Sequence, residues 1–310
     1  MNIKNNGVLL TMLSSITFGF AFTLGPMTYS LGSNPVTLTF LRNFLSLPFL
    51  LVILFFFKIN LKVTKKQLMH LVILGFIGNS ITTLLLNIAF SVVDVGIVTP
   101  IHFTYPIFVT VGCVLFFKEK FNKQKIIALI ISMLGIACFF YSALAKDQVS
   151  SEKTILGLFL AILSGVFYAF YIIYMDKSGL KNEDPFKITF YVALASSIGM
   201  FLYGNFTNKL TLSTLTNKAW MISFIFAFLC TVVALSLLQL GIKSVGPSTA
   251  AVISTFEPIT SVIFGALLLG EHITFIKIIA CIFIFIGVLI LSLSKNKEKK
   301  SISSLSKNTI

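Results

Sequence analysis

Three side chains in this sequence carry charge or can carry a proton from within otherwise apolar stretches: Arg42, His102 and Glu257. An ionisable group in hydrocarbon costs free energy unless it is paired or meets water, so each marks a place where a proton, an ion or a polar ligand can be handled. A carboxylate such as Glu257 can bind a cationic group or exchange a proton. A guanidinium such as Arg42 can hold a carboxylate or stabilise Glu257. His102 can exchange a proton, or satisfy itself against a backbone carbonyl of the next helix. Asn79, Gln239, Tyr105 and Tyr168 join them as candidates for substrate binding or coupling, because an amide or phenol inside a membrane bonds either to another helix or to a ligand.

The elements that hold these groups are long apolar runs. Hydrophobic residues make up 56% of the 310 and charged residues 11%, which excludes a soluble domain and points to an all-α, polytopic membrane protein. The net charge of +14 does not signal nucleic acid, because the lysines sit in loops beside the apolar runs and in the tail. Cys113, Cys138, Cys230 and Cys281 all lie inside apolar runs without metal-ligand spacing. They are expected to be free thiols, and no metal or cofactor is implied.

A span takes about 20 apolar residues. Ten runs qualify: 7–29, 35–57, 67–90, 96–117, 125–145, 157–175, 186–203, 219–240, 248–269 and 273–294. The first is too long for a signal-peptide core and is read as a retained span. With the amino terminus inside, eighteen lysines fall on inner segments and only Lys146, Lys153, Lys209 and Lys218 on outer ones. Both termini are therefore expected in the cytoplasm. At a rise of about 1.5 Å per residue, Arg42 and His102 lie about 10 and 9 Å below the outer face, and Glu257 about 14 Å from the inner one. All three are placed to reach one central cavity.

The chain also says nearly the same thing twice. Residues 103–135 read without a gap onto 255–287 at an offset of 152, matching Pro106 with Pro258, Glu119 with Glu271 and Gly135 with Gly287. Five spans per half is an odd number, so the second copy enters the membrane upside down, the inverted-repeat plan of many secondary transporters. The expected organisation is a first repeat over 1–145, an outer loop over 146–156, a second repeat over 157–294 and a basic, disordered cytoplasmic tail over 295–310. Tyr105 is the counterpart of Glu257, and each precedes a mid-run proline. Pro106 frees the carbonyl of His102 and Pro258 that of Ser254, so kinks are expected at both. Those two prolines, with Gly25 and Pro26 late in the first run, are the expected hinges.

In these features the sequence resembles the drug/metabolite transporter superfamily, and within it the ten-span EamA-type permeases. The resemblance rests on SSITFGFAF (Ser14 to Phe22), on FLRNF (Phe40 to Phe44) with its arginine, on Pro106 and Pro258, on Glu119 and Glu271, and on Gly135 and Gly287. Phe18 stands where the family often has Trp, and Lys118 where it often has Gly before the closing Glu. The resemblance implies two homologous five-helix repeats in the plasma membrane. It does not name a substrate, since the superfamily spans amino acids, quaternary amines, nucleosides, sugars and drugs.

The function expected from all this is secondary transport of a small organic metabolite, an amino acid, amine or related compound, by alternating access. Export driven by a proton or ion gradient is the reading taken, and uptake of a quaternary amine the alternative. No GxxxxGK[ST] segment is present to couple nucleotide hydrolysis. The single arginine argues against phosphorylated substrates, whose two or so negative charges need several cations. A passive channel would need a charged ring or filter, and an intramembrane enzyme paired aspartates, HExxH or a base-assisted serine; the sequence has none of these. The expected partners are the substrate, membrane lipids and a coupling proton or ion, with the oligomeric state open.

Overall fold

The computed structural model describes residues 7–93, 95–118, 123–144, 152–269 and 273–290. Every regular element among them is helical. Eight helices are long and apolar enough to cross a membrane: Gly7–Leu31, Pro35–Phe56, Lys65–Val92, Lys123–Ser142, Lys153–Lys177, Pro185–Phe206, Asn217–Val245 and Pro247–Leu268. Two shorter apolar helices, Tyr105–Phe117 and Phe275–Ile290, coincide with parts of the fourth and tenth expected spans.

Several spans are composite. The first is α1 (Gly7–Leu24) followed by a 3-10 stretch, Pro26–Leu31, so the expected hinge at Gly25 and Pro26 falls at a change of helix type. The second is α2 (Pro35–Phe44) and α3 (Leu47–Phe56), split because Pro48 has no N–H to offer the carbonyl of Phe44. The third is α4 (Lys65–Ile73), a π-helical stretch Leu74–Ile81, and α5 (Thr82–Val92). The fourth is α6 (Val95–His102) and α7 (Tyr105–Phe117). Single helices follow: α8 (Lys123–Leu144), α9 (Glu152–Lys177) and α10 (Pro185–Phe206). Then come α11 (Asn217–Ala227), a second π-helical stretch Phe228–Leu235 and α12 (Ser236–Val245). Last are α13 (Pro247–Ser254), α14 (Glu257–Leu269) and α15 (Phe275–Ile290).

The breaks before Pro106 and Pro258 go further than the expected kinks. In each, two residues leave the α-helix: Phe103 and Thr104 in one, Thr255 and Phe256 in the other. The π-helical stretches in the third and eighth spans were not foreseen, because an extra residue per turn leaves no mark in hydrophobic spacing.

Matching local chemistry recurs in the two halves. Asn34 caps α2, accepting from Thr37 N at 2.9 Å, and Pro35 opens it; Asp184 caps α10, accepting from Phe186 N at 2.9 Å, and Pro185 opens that. Thr64 caps α4 and Thr216 caps α11. Packing is also reciprocal. Gly7 of α1 lies against Ser244 and Val245, and Gly157 of α9 lies against Val92 and Val93.

The helices interlock across the halves. α1 packs on α12, α13 and α14, whereas α9 packs on α5, α6 and α7, with α2 against α10 between the two groups. At one end, Lys187 Nζ donates to Lys62 O at 2.7 Å and to Glu183 Oε2 at 2.8 Å, and Gln67 Nε2 donates to Glu183 Oε1 at 2.5 Å. At the opposite end, Asn34 Nδ2 donates to Lys209 O at 2.8 Å and Thr216 N to Leu31 O at 3.2 Å.

α8 and α15 cross through two glycines. A Cβ on Gly135 would stand 2.7 Å from Ala280 O, and one on Gly287 2.8 Å from Ala128 O. Since 128 and 280, like 135 and 287, are 152 apart, each glycine meets the counterpart of what the other meets, as across a two-fold axis. Either Gly135→Val or Gly287→Val is expected to cost about 1–3 kcal/mol by overpacking. The double variant is expected to cost less than their sum, because both open one crossing. Thermal unfolding of the four proteins in one detergent tests this, and strict additivity would count against the shared crossing.

Candidate functional site

The helix breaks create the places where the two charges sit. α2 stops at Phe44, which puts Arg42 in its last turn, beside carbonyls that have no helical partner. The negative end of the helix dipole there favours a cation. α14 starts at Glu257, so that carboxylate sits in a first turn, where the positive end of the dipole favours an anion. Neither placement would exist in an unbroken helix.

Arg42, only 5% exposed, donates from Nη1 to Thr83 Oγ1 at 3.2 Å, and its Nε makes no hydrogen bond. Its guanidinium carbon lies 5.8 Å from the ring centre of Phe18 and 6.0 Å from that of Phe226, close enough for cation–π attraction. Its backbone carbonyl accepts from Thr231 Oγ1 at 3.1 Å, so the second π-helical stretch braces the arginine. Glu257, 3% exposed, is held from the other side by α1. Ser261 donates to Gly19 O at 3.3 Å, fastening the first turns of α14 to that helix, while Thr260 gives its one hydrogen to Glu257 O at 2.8 Å.

Arg42 and Glu257 line one cavity with His102, Asn79, Tyr168, Thr82, Thr83, Gly78, Phe18, Phe22, Leu86 and Leu235. Its free volume, taken at the centre of a water molecule, is about 20 Å³, room for one or two waters. No direct ion pair joins the two charges: among the described residues the ion pairs are those of Asp176 with Lys177 and Lys181 and of Glu183 with Lys187. A guanidinium and a carboxyl group thus border the same small space, with Arg42 Nε left without a partner.

Of the residues singled out from sequence, Arg42, His102, Glu257, Asn79 and Tyr168 meet at this cavity, while Gln239 and Tyr105 do not line it. Gln239 is buried and donates to Tyr171 OH at 3.0 Å, which makes it a tie between α12 and α9. Tyr105 is buried behind the wall, its ring 4.8 Å from that of Tyr168. Asn79 has a structural task as well, donating to Asn43 Oδ1 at 2.8 Å and to Ser196 Oγ at 3.0 Å. Glu119, Glu271 and the tail from 295 lie outside the described residues. Cys113 and Cys230 are buried and Cys138 and Cys281 half-buried, and none of the four is in a disulfide.

Sequence reasoning missed Thr82, Thr83 and Leu86. With Asn79 they form an i, i+3, i+4, i+7 face on the third span, a pattern that could have been found by following the helical period outward from the asparagine. Phe18 and Phe22 of α1 follow the same rule, one turn apart.

Comparison with known proteins agrees with this arrangement. A protein named as an uncharacterized transporter of Clostridium kluyveri is 23% identical over 74% of this chain and 73% of its own. The uncharacterized transporter YcbK of Bacillus subtilis is 22% identical over 89% of each. A crystal structure of a protein 13% identical in sequence superposes with a TM-score of 0.78 over 94% of this chain and 98% of that one, so the fold is shared. The family model of the EamA-like transporters matches residues 5–141 and again 155–293, so nearly the whole chain is accounted for by two copies of one unit. With a multi-span helical fold and two buried charges at broken helices, this polytopic membrane protein belongs to the EamA-like transporter family and is a transporter rather than an enzyme.

Proposed function

We propose that this protein is a secondary transporter of a small organic zwitterion, a molecule with one acidic group and one amino or similar donor group. The observation that carries this reading is the shared cavity of Arg42 and Glu257 in the absence of a direct ion pair. A ligand whose acidic group meets Arg42 and whose amino group meets Glu257 neutralises both charges without leaving a net charge buried. Phe18, Phe22 and Tyr168 supply an apolar and aromatic wall for the rest of it. Between ligands, Glu257 carries the coupling proton.

The chain spans the plasma membrane ten times as two inverted five-span repeats with both termini cytoplasmic. The reciprocal contact of Gly135 and Gly287 and the matched breaks before Pro106 and Pro258 support the repeats, and the lysine distribution supports the orientation. The moving bodies are not the repeats themselves, because α1 belongs by packing to the second half and α9 to the first. Alternating access instead tilts the group of α1, α12, α13 and α14 against the group of α5, α6, α7 and α9, with the unwound pairs Phe103–Thr104 and Thr255–Phe256 taking up the bend.

Thermal unfolding of the purified protein with amino acids, quaternary amines, nucleosides and sugars tests the ligand class, with Glu257→Gln run in parallel. Zwitterions are expected to raise the melting temperature of the wild type and not of the variant. Stabilisation by nucleosides or sugars alone would overturn the reading.

A further inference from the structure

The zwitterion reading leaves open which group reads the ligand's hydrogens, and the surroundings of His102 answer that. His102 lines the cavity, and its Nδ1 lies 2.8 Å from Ser164 Oγ. The same Oγ lies 2.7 Å from the carbonyl oxygen of Ala161, one turn back on α9. A hydroxyl has one hydrogen and a carbonyl has none, so a contact this short commits the Ser164 proton to Ala161 O. The Ser164 oxygen then acts as acceptor, and Nδ1 of His102 must carry a hydrogen. In neutral imidazole that leaves Nε2 with a bare lone pair.

Two features keep this assignment from relaxing. Ser164 is fully buried, so no water competes for its proton. The imidazole is flanked by the rings of Tyr105 and Tyr168, both at 5.5 Å, and of Phe103 at 5.8 Å, which hold its plane. Among the described residues nothing hydrogen-bonds Nε2, and the ring borders the one space in which a ligand is proposed to bind.

We propose that Ser164 is a positioning residue that fixes His102 with its hydrogen on Nδ1, and that His102 Nε2 accepts a hydrogen bond from the ligand. His102 thereby separates zwitterions that carry an N–H from those whose nitrogen is fully methylated. An unmet acceptor in a dry site penalises the wrong ligand more than a lost apolar contact would.

The test uses the full chain in lipid nanodiscs with nitrogen-15-labelled histidine and with His70→Gln and His272→Gln, so that of the three histidines only His102 gives a signal. The expected spectrum shows a protonated Nδ1 and a bare Nε2. Ser164→Ala is expected to turn it into an average of both tautomers, and Ser164→Thr to restore it. A hydrogen on Nε2 in the unmodified site, or a spectrum indifferent to Ser164→Ala, overturns the proposal. The second readout is the affinity for glycine and its mono-, di- and trimethylated forms, which share one charge pattern and lose N–H donors stepwise. Glycine is expected to bind about tenfold more tightly than the trimethylated form. That ratio is expected to fall towards one in Ser164→Ala and His102→Ala; an unchanged ratio in both overturns the proposal. If none of the four binds, the zwitterion reading falls, while the nitrogen spectrum still decides the role of Ser164.

Discussion

Glu257→Gln is expected to abolish transport while leaving the protein folded in the membrane. The substitution keeps shape and hydrogen-bonding capacity, so the tie of α14 to α1 through Ser261 survives. It removes the one acidic side chain that lines the cavity among the described residues and leaves the guanidinium of Arg42 with no carboxyl group opposite. Truncating one member of a buried charge pair typically costs about 3–5 kcal/mol, and under the proposed function Arg42 and Glu257 form such a pair through the ligand. A loss of two or more powers of ten in rate is therefore expected, at about 1.4 kcal/mol per decade. The measurement is uptake into proteoliposomes of the zwitterion that stabilises the wild type, across pH. The wild-type rate is expected to vary with pH and the residual rate of the variant to be flat. Wild-type rates from the variant at every pH would remove Glu257 from both binding and coupling.

The second large effect concerns Gly19, which touches no ligand. A methyl group there would collide with Thr260 Oγ1 and stand 2.8 Å from the carbonyl oxygen of Glu257 and 3.0 Å from Ser261 N. Two of those three neighbours are backbone atoms, which cannot swing aside. Gly19→Ala is thus expected to push α1 off the turn that presents Glu257, costing about 1–3 kcal/mol. The melting temperature is expected to fall by several degrees, and transport to fall with it. Gly25→Ala is the control: its added methyl would meet Leu38 and Phe226 at 3.4 Å, an ordinary contact, and Gly25 already has right-handed helical angles. Equal melting temperatures for the two variants would show that the close approach at Gly19 is not holding the site together.

The parts of this molecule that could be read from its sequence are those governed by short-range rules. Length and apolarity placed the membrane helices, and a proline after Tyr105 and after Glu257 located the two breaks. Depth counting along straight helices put Arg42, His102 and Glu257 within reach of one central cavity, and they do share one. Exchange of α1 and α9 between the halves was not legible, since nothing local distinguishes a helix packed on its own repeat from one packed on the other. Nor was the division of labour among polar groups. Gln239 and Asn79 are both amides in mid-span, yet one is consumed by Tyr171 and the other borders the cavity, and only the positions of neighbouring helices decide which. Ser164 was invisible for the same reason: its importance comes from Ala161 behind it and His102 in front.

The cavity of about 20 Å³ has an electrical consequence. A file of hydrogen-bonded waters conducts protons, and a cavity that seats one or two molecules between Arg42 and Glu257 is too short to be one. The bonds of Lys187 at one end and of Asn34 at the other hold the loops of the two halves together at the same time. Idle copies in this conformation are therefore expected to leave the electrical resistance of a membrane nearly unchanged, since a cavity of this size offers no continuous water path.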